Sequence, residues 1–364
     1  TENYTRWYSS AASDVYKRQI VLLLWVSMRT AIGVRRLRPR VQGVVQPARG
    51  PGRWRGRPIP TPSGVREHHD IDWHAGLTLD LIRPDDDRRE LPVCVYVHGG
   101  GWTGGDPQRQ ARDLYHTLAL AGWAVVSIRY PFTPSVSVEE QIETVRTAVR
   151  WVRSDLRGHG VEPTDVVLAG GSAGGHLAAM ATLTAGEDDE RVAACVGMYG
   201  VYDMANRNRK RAHWHKTRTE VMLSTYDEQP ERYRAVSPID QVHGDTPPFL
   251  IVHGTHDTLV PPGEGEQFVE VLRAADRPVD YVQVYGAQHA FDALSSMTSR
   301  TSAAVIRDWL SSTVRTPPPG NGRSDQGAIA RRRSTRRPRT PSAAPVVNTA
   351  YQGSRTCPCG NKLL

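Results

Sequence analysis

"DVVLAGGSAGGHLAA", residues 165–179, changes character twice within fifteen positions. A short apolar run rich in valine stops at two glycines and a serine, and an alanine- and leucine-rich stretch follows. That succession predicts a buried strand, a tight turn and a helix. Within it Gly170-Gly171-Ser172-Ala173-Gly174 fits the G-x-S-x-G turn that lifts a serine hydroxyl clear of a strand-to-helix junction. The two outer positions, Gly170 and Gly174, must be nearly free of side chain, because strand and helix close up around the serine. The helix starting at Ala173 turns unpaired N–H groups and the positive end of its dipole toward the same spot.

A second stretch, "VCVYVHGGGWTGGD" at 93–106, ends another apolar strand at His98 and runs into Gly99, Gly100 and Gly101. Glycines weaken strands. They suit a loop whose backbone N–H groups must meet a ligand with no Cβ in the way. Acyl transfer needs donors fixed in advance around a developing oxyanion. Gly100, Gly101 and Ala173 are the candidate donors, with His98 bracing the loop, Gly99 within it and Trp102 packing beside it.

A serine activated in this way needs a base and an orienting acid, arriving in the order Ser, Asp or Glu, His. "FLIVHGTHDTLVPP" places Asp257 just after an apolar strand, and "YVQVYGAQHAF" places His289 just after the next. Asp257 would hold the imidazole in one tautomer and His289 would take the serine proton. His176, His253 and His256 lie near the same motifs, but none follows the last strand. His68, His69, His74, His213 and His215 read as scattered surface residues.

Around these motifs the pattern is regular. "LTLDLI" (77–82) alternates as a half-exposed strand does, and "VCVYV", "AVVSI", "DVVLA", "AACVGM", "FLIV" and "YVQV" are short runs rich in valine and isoleucine. Helical stretches separate them: Val138 onward, with Ser137 and Glu140 forming a capping box, then Ala173–Thr184, Gly265–Ala275 and Ser302–Leu310. Strands alternating with helices predict an α/β fold with a mostly parallel central sheet covered on both faces. The interval Met204–Thr246 breaks the rhythm and reads as an insertion; its "RNRKRAHWHK" is either a solvated basic surface or a region favouring acidic or membrane-bound substrates.

The 364 residues carry a formal charge of +8, split unevenly: +10 over 1–63, −11 over 64–313 and +9 over 314–364. The acidic centre argues against nucleic acid as a partner. Of the four cysteines, Cys94 and Cys195 read as small buried hydrophobes. The terminal "CPC" (Cys357, Cys359) lacks partner ligands for a metal. No uninterrupted apolar span reaches the length of a transmembrane helix.

The two ends fall outside this pattern. Ser9–Gln19 resembles the in-frame translation of a sequencing adapter, so residues 1–19 are expected to be an artefact of assembly. Residues 20–63 then form a truncated apolar leader, "IVLLLWV", and a basic linker. The leader reads either as the rear of a membrane anchor or as a short hydrophobic segment, which leaves the protein cytoplasmic in one case and anchored or exported in the other. Residues 314–364, with "RRRSTRRPR", are expected to be a disordered basic tail. The hydrolytic machinery is therefore expected within 64–313.

Taken together, the serine turn, the His-Gly-Gly-Gly-Trp loop, Asp257 in "HGTHDTLVP" and His289 in "HAF" resemble the α/β-hydrolase superfamily, and within it the carboxylesterases of the hormone-sensitive-lipase-like and related bacterial groups. The resemblance spans about residues 66–312. It implies ester hydrolysis through an acyl-serine intermediate, small-molecule ester substrates, and no metal or organic cofactor. The chain departs from the lipase-like pattern at Gly171, where relatives carry Asp, and at "RYPFTPS" (129–135), where they carry a Tyr-Arg-Leu-Ala-Pro-Glu type of loop. "GGSAGGHLA" also resembles arylformamidases, which cleave an amide with the same three residues. A non-catalytic binding protein of the same fold is the remaining alternative.

Overall fold

The computed structural model describes residues 59–208, 211 and 220–314. The chain divides into two units, Thr1–Thr61 and Pro62–Leu364, and every element below belongs to the second. The adapter-like segment, the apolar leader, the arginine-rich tail, "CPC", His213 and His215 lie outside the described residues.

Eight strands form one sheet: β1 (Val65–His74), β2 (Leu77–Pro84), β3 (Glu90–Val97), β4 (Ala124–Ile128), β5 (Glu162–Gly171), β6 (Cys195–Met198), β7 (Phe249–Gly254) and β8 (Val279–Val284), in the order β1-β2-β4-β3-β5-β6-β7-β8. β2 is antiparallel to both of its neighbours, and every other pairing is parallel. The expected mainly parallel α/β sheet is thus observed. Its helices are α1 (Arg112–Leu120), α2 (Val138–Ser154), α3 (Ala173–Leu183), α4 (Pro230–Ala235), α5 (Gly263–Ala274) and α6 (Met297–Thr313).

The continuous apolar runs follow from burial on both faces. Along β3, Val93, Val95 and Val97 enter one core layer while Cys94 and Tyr96 enter the other. The first layer is closed by Val145 and Val149 of α2, Leu177 of α3 and Phe268 and Leu272 of α5. The second is closed by Leu114 and Leu118 of α1 with Ile306 and Leu310 of α6. Cys94 and Cys195 are fully buried, and burial pushes both thiols up to about 12. They are packing residues, as their sequence context suggests.

Ser137 caps α2 as expected: its Oγ accepts from the Glu140 N–H at 3.2 Å, and the Glu140 carboxylate accepts from the Ser137 N–H at 2.7 Å. α6 begins five residues before the expected Ser302, because the Ser296 hydroxyl caps the Ser299 N–H at 3.0 Å. Three elements, β1, α1 and α4, have no counterpart in the sequence reading. β1 is an edge strand whose "VREHHDIDWH" is mostly solvent-facing, so only Val65 and Trp73 are buried. The interval between β6 and β7 holds α4 and the 3₁₀ turn Pro238–Asp240, and it sends Val221, Met222, Tyr233 and Val236 into the core.

Candidate active site

Ser172, the glycine loop, Asp257 and His289 sit just past the C-terminal ends of parallel strands, where ligand sites of open α/β sheets gather. β5 ends at Gly171, and Ser172 turns the chain into α3 with φ 56° and ψ −122°, a conformation that costs a non-glycine residue about 1–3 kcal/mol. The turn is held by the Ser172 N–H on the Met198 carbonyl (2.9 Å) and the His176 N–H on the Ser172 carbonyl (3.1 Å). The two outer glycines are required by close approach. A Cβ at Gly170 would run into the Gly174 carbonyl, and one at Gly174 into the carbonyls of Val97 and His98.

Ser172, His289 and Asp257 are brought together from three separate loops. The Ser172 hydroxyl lies 2.9 Å from His289 Nε2, and His289 Nδ1–H donates to Asp257 Oδ2 at 2.7 Å. Asp257 is 4% exposed, and its other oxygen accepts from the N–H groups of Leu259 (3.0 Å) and Val260 (2.9 Å). Burial alone would raise this carboxyl; hydrogen bonds from His253 and His289 and the Val260 N–H outweigh it and hold it at about 2. The ionised acid, anchored from behind, therefore selects the imidazole tautomer whose Nε2 faces the serine as an acceptor.

The glycine loop adjoins this row. Gly99 passes so near the serine turn that a Cβ there would meet the Gly171 carbonyl at 2.8 Å and Ser172 Cβ at 3.1 Å. Its N–H donates to Gln110 Oε1 at 2.9 Å, and Gln110 Nε2 returns a bond to its carbonyl at 3.2 Å. The N–H groups of Gly100, Gly101 and Ala173 meet no acceptor among the described residues. His98 is buried, stacks on Tyr130 at 4.5 Å between ring centres, and donates from Nδ1 to the Gly99 carbonyl; burial lowers its pKa to about 4, so it braces the loop as a neutral ring. The Trp102 carbonyl takes bonds from the Thr133 N–H and Gln141 Nε2.

Several supports were invisible to motif reading. Trp102 Nε1–H donates to His176 Nδ1 at 3.1 Å, and His176 Nε2–H donates to the Val236 carbonyl at 2.8 Å. Burial lowers His176 to about 4, so this neutral ring ties glycine loop, serine helix and the interval after β6 together. His253 is buried with Nε2 on the Val260 carbonyl, and His256 is exposed; neither reaches Ser172. In the basic run, Arg207 pairs with Asp203 and Asp240, and Arg211 is buried against Glu264 at 2.8 Å. Arg211, 4% exposed, is thus an internal anchor and not part of a solvated basic face. Among the described residues no group of three or more His, Cys, Asp or Glu side chains could hold a metal ion, and no helix is long and apolar enough to cross a membrane.

Residues 79–272, more than half of the chain, match the model of the BD-FAE family. The chain is similar to esterase LipQ of Mycobacterium tuberculosis, at 36% identity over 245 residues covering 64% of this chain and 58% of LipQ. It is equally similar to esterase LipC of the same organism, at 36% over 251 residues, 65% of this chain and 62% of LipC. It therefore spans less than two thirds of the length of either relative. Among solved structures, the butyrate-bound form of the esterase Est2 from Thermogutta terrifontis resembles it with a TM-score of 0.57 and 26% identity, over 71% of this chain and 97% of that one. The span matched by the family model contains the glycine loop, Ser172 and Asp257; the chain belongs to the BD-FAE family of the α/β-hydrolase superfamily.

Proposed function

We propose that this protein is a serine carboxylesterase that hydrolyses short- to medium-chain acyl esters through an acyl-serine intermediate. The observation that carries the reading is the unbroken hydrogen-bonded row from the Ser172 hydroxyl through His289 to Asp257. In the first half-reaction Ser172 Oγ attacks the ester carbonyl carbon while His289 Nε2 takes its proton. The resulting oxyanion is held by the free N–H groups of Gly100, Gly101 and Ala173. His289 then returns the proton to the departing alkoxide, releasing the alcohol. Water, activated by the same imidazole, attacks the acyl-serine; collapse frees the carboxylic acid and restores the serine. Asp257 stays ionised throughout and stabilises the imidazolium. No step calls on a cofactor.

Support for a short acyl group comes from the butyrate that the similar Est2 structure carries. Residues 64–313 form the hydrolase unit in this reading, with 204–246 as a cap beside the site. The test is a chain-length series of p-nitrophenyl esters, run alongside N-formylkynurenine and a fluorophosphonate probe. Esters of short acyl chains should turn over, the probe should label wild type, and Ser172→Ala should lose both turnover and label while keeping its fold. Turnover retained by Ser172→Ala, or hydrolysis confined to the formamide, would overturn the proposal.

A further inference from the structure

Between the serine turn and the base lies a residue that the chemistry above does not use. Tyr199 follows β6 with φ 39°, is 1% exposed, and anchors its own N–H on the Val252 carbonyl at 2.7 Å. Its ring meets His289 edge-on at 4.9 Å between centres and Phe291 edge-on at 5.2 Å. Its hydroxyl donates to Asp292 Oδ1. One side chain therefore touches three of the four residues of the turn that carries the base, 289–292. The neighbouring residue, Met198, holds the Ser172 N–H through its carbonyl, so the same short segment grips both nucleophile and base.

Gly171 completes the arrangement. A Cβ there would lie 2.6 Å from the Tyr199 hydroxyl and 3.0 Å from its ring carbons. The absence of a side chain before Ser172, where lipase-like relatives carry Asp, is thus the space Tyr199 occupies. Asp292 is 6% exposed and its second oxygen is buried with no hydrogen-bond partner among the described residues, an arrangement that is costly unless the carboxyl serves a contact. A carboxyl in that state needs only one acceptor oxygen to hold Tyr199.

We propose that Tyr199, tethered to Asp292 across the space left by Gly171, is a positioning residue that sets His289 at proton-transfer distance from Ser172. The inference rests on the reading of Ser172 and His289 as nucleophile and base. It concerns where the imidazole sits.

The test measures kcat and KM on p-nitrophenyl butyrate for Tyr199→Phe, Asp292→Ala and Asp292→Asn, with circular dichroism and thermal unfolding to show that each is folded at the assay temperature. The downfield proton resonance of the His289 Nδ1–H bonded to Asp257 is recorded for each. Tyr199→Phe keeps the ring and Asp292→Ala keeps the tyrosine, yet both cut the tether. Each should lower kcat about 10- to 100-fold, as small displacements of reacting groups do, and broaden that resonance. KM should stay within about twofold, since no ground-state contact is lost. Asp292→Asn keeps an acceptor oxygen and should recover kcat to within about threefold of wild type. A Tyr199→Phe enzyme with wild-type kcat, a loss confined to KM, or an Asp292→Asn enzyme as impaired as Asp292→Ala would each overturn the inference. Should Tyr199→Phe fail to fold, the Asp292 pair decides alone. Ser172→Ala separates the two claims: if it is dead while Tyr199→Phe is fully active, only the positioning role falls, and if it remains active the reading beneath it falls.

Discussion

Replacing Asp257 by Asn tests the site at its most constrained point. Asp257 Oδ1 takes two backbone N–H groups, from Leu259 and Val260, while Oδ2 takes the imidazole N–H. An amide has one oxygen, and the two backbone donors claim it, so the NH₂ must face His289 Nδ1. That nitrogen then becomes an acceptor and the proton moves to Nε2, pointing at Ser172, where it blocks proton removal. The corresponding substitution in a serine protease, a worked case in general accounts of such triads, lowers kcat about 10⁴-fold, and a loss of that order is expected here. Stability should shift as well. The carboxyl falls from its ordinary 3.8 to about 2 on folding. A depressed acid stabilises the fold above its unfolded pKa, by roughly 2 kcal/mol, and that contribution is lost as pH falls from about 4 through 2. Urea unfolding of wild type and Asp257→Asn between neutral and strongly acid pH should show the gap between the two closing as acid is added. A variant within about tenfold of wild-type kcat, or a gap independent of pH, would refute the tautomer argument.

The glycine loop yields a contrast between neighbours. Gly100→Ala puts a Cβ into the Gly104 carbonyl and should cost about 1–3 kcal/mol or more in chemical denaturation. At Gly101 (φ 63°) an added Cβ would meet nothing nearer than the Thr103 hydroxyl at 4.0 Å, so Gly101→Ala should cost only about 1 kcal/mol of backbone strain, and equal losses would count against the loop geometry. Trp102→Phe removes the donor to His176 Nδ1 and leaves a buried acceptor unpaired. Thermal or urea unfolding should show a loss of about 1–3 kcal/mol, and no measurable change would mean the link does not bear on the fold.

How much of this was legible in advance depended on how far apart the interacting residues lie in the chain. The serine turn is a local event: the strand, the glycines and the helix lie within fifteen residues, and the demand for Gly170 and Gly174 comes from atoms only a few positions away or on the adjacent strand. The same holds for Ser137 capping α2 through Glu140, and for the apolar runs of β3 to β7, whose burial on both faces removes any need for alternation. β1 was missed because an edge strand exposed on one side can be built from histidine and aspartate. The start of α6 was missed because one serine cap, Ser296, outweighed the weak periodicity of the first turn.

Sequence alone determined which residue types stand at the strand ends and in what order, because turn chemistry and strand periodicity are short-range. Only the tertiary structure decided what they meet. Ser172 and His289 are 117 positions apart, Trp102 and His176 74, Tyr199 and Asp292 93, and Arg211 and Glu264 53. No local pattern encodes such pairs. They form because closing the sheet and excluding water leave these buried polar groups few partners within reach, and that choice exists only once the chain has folded.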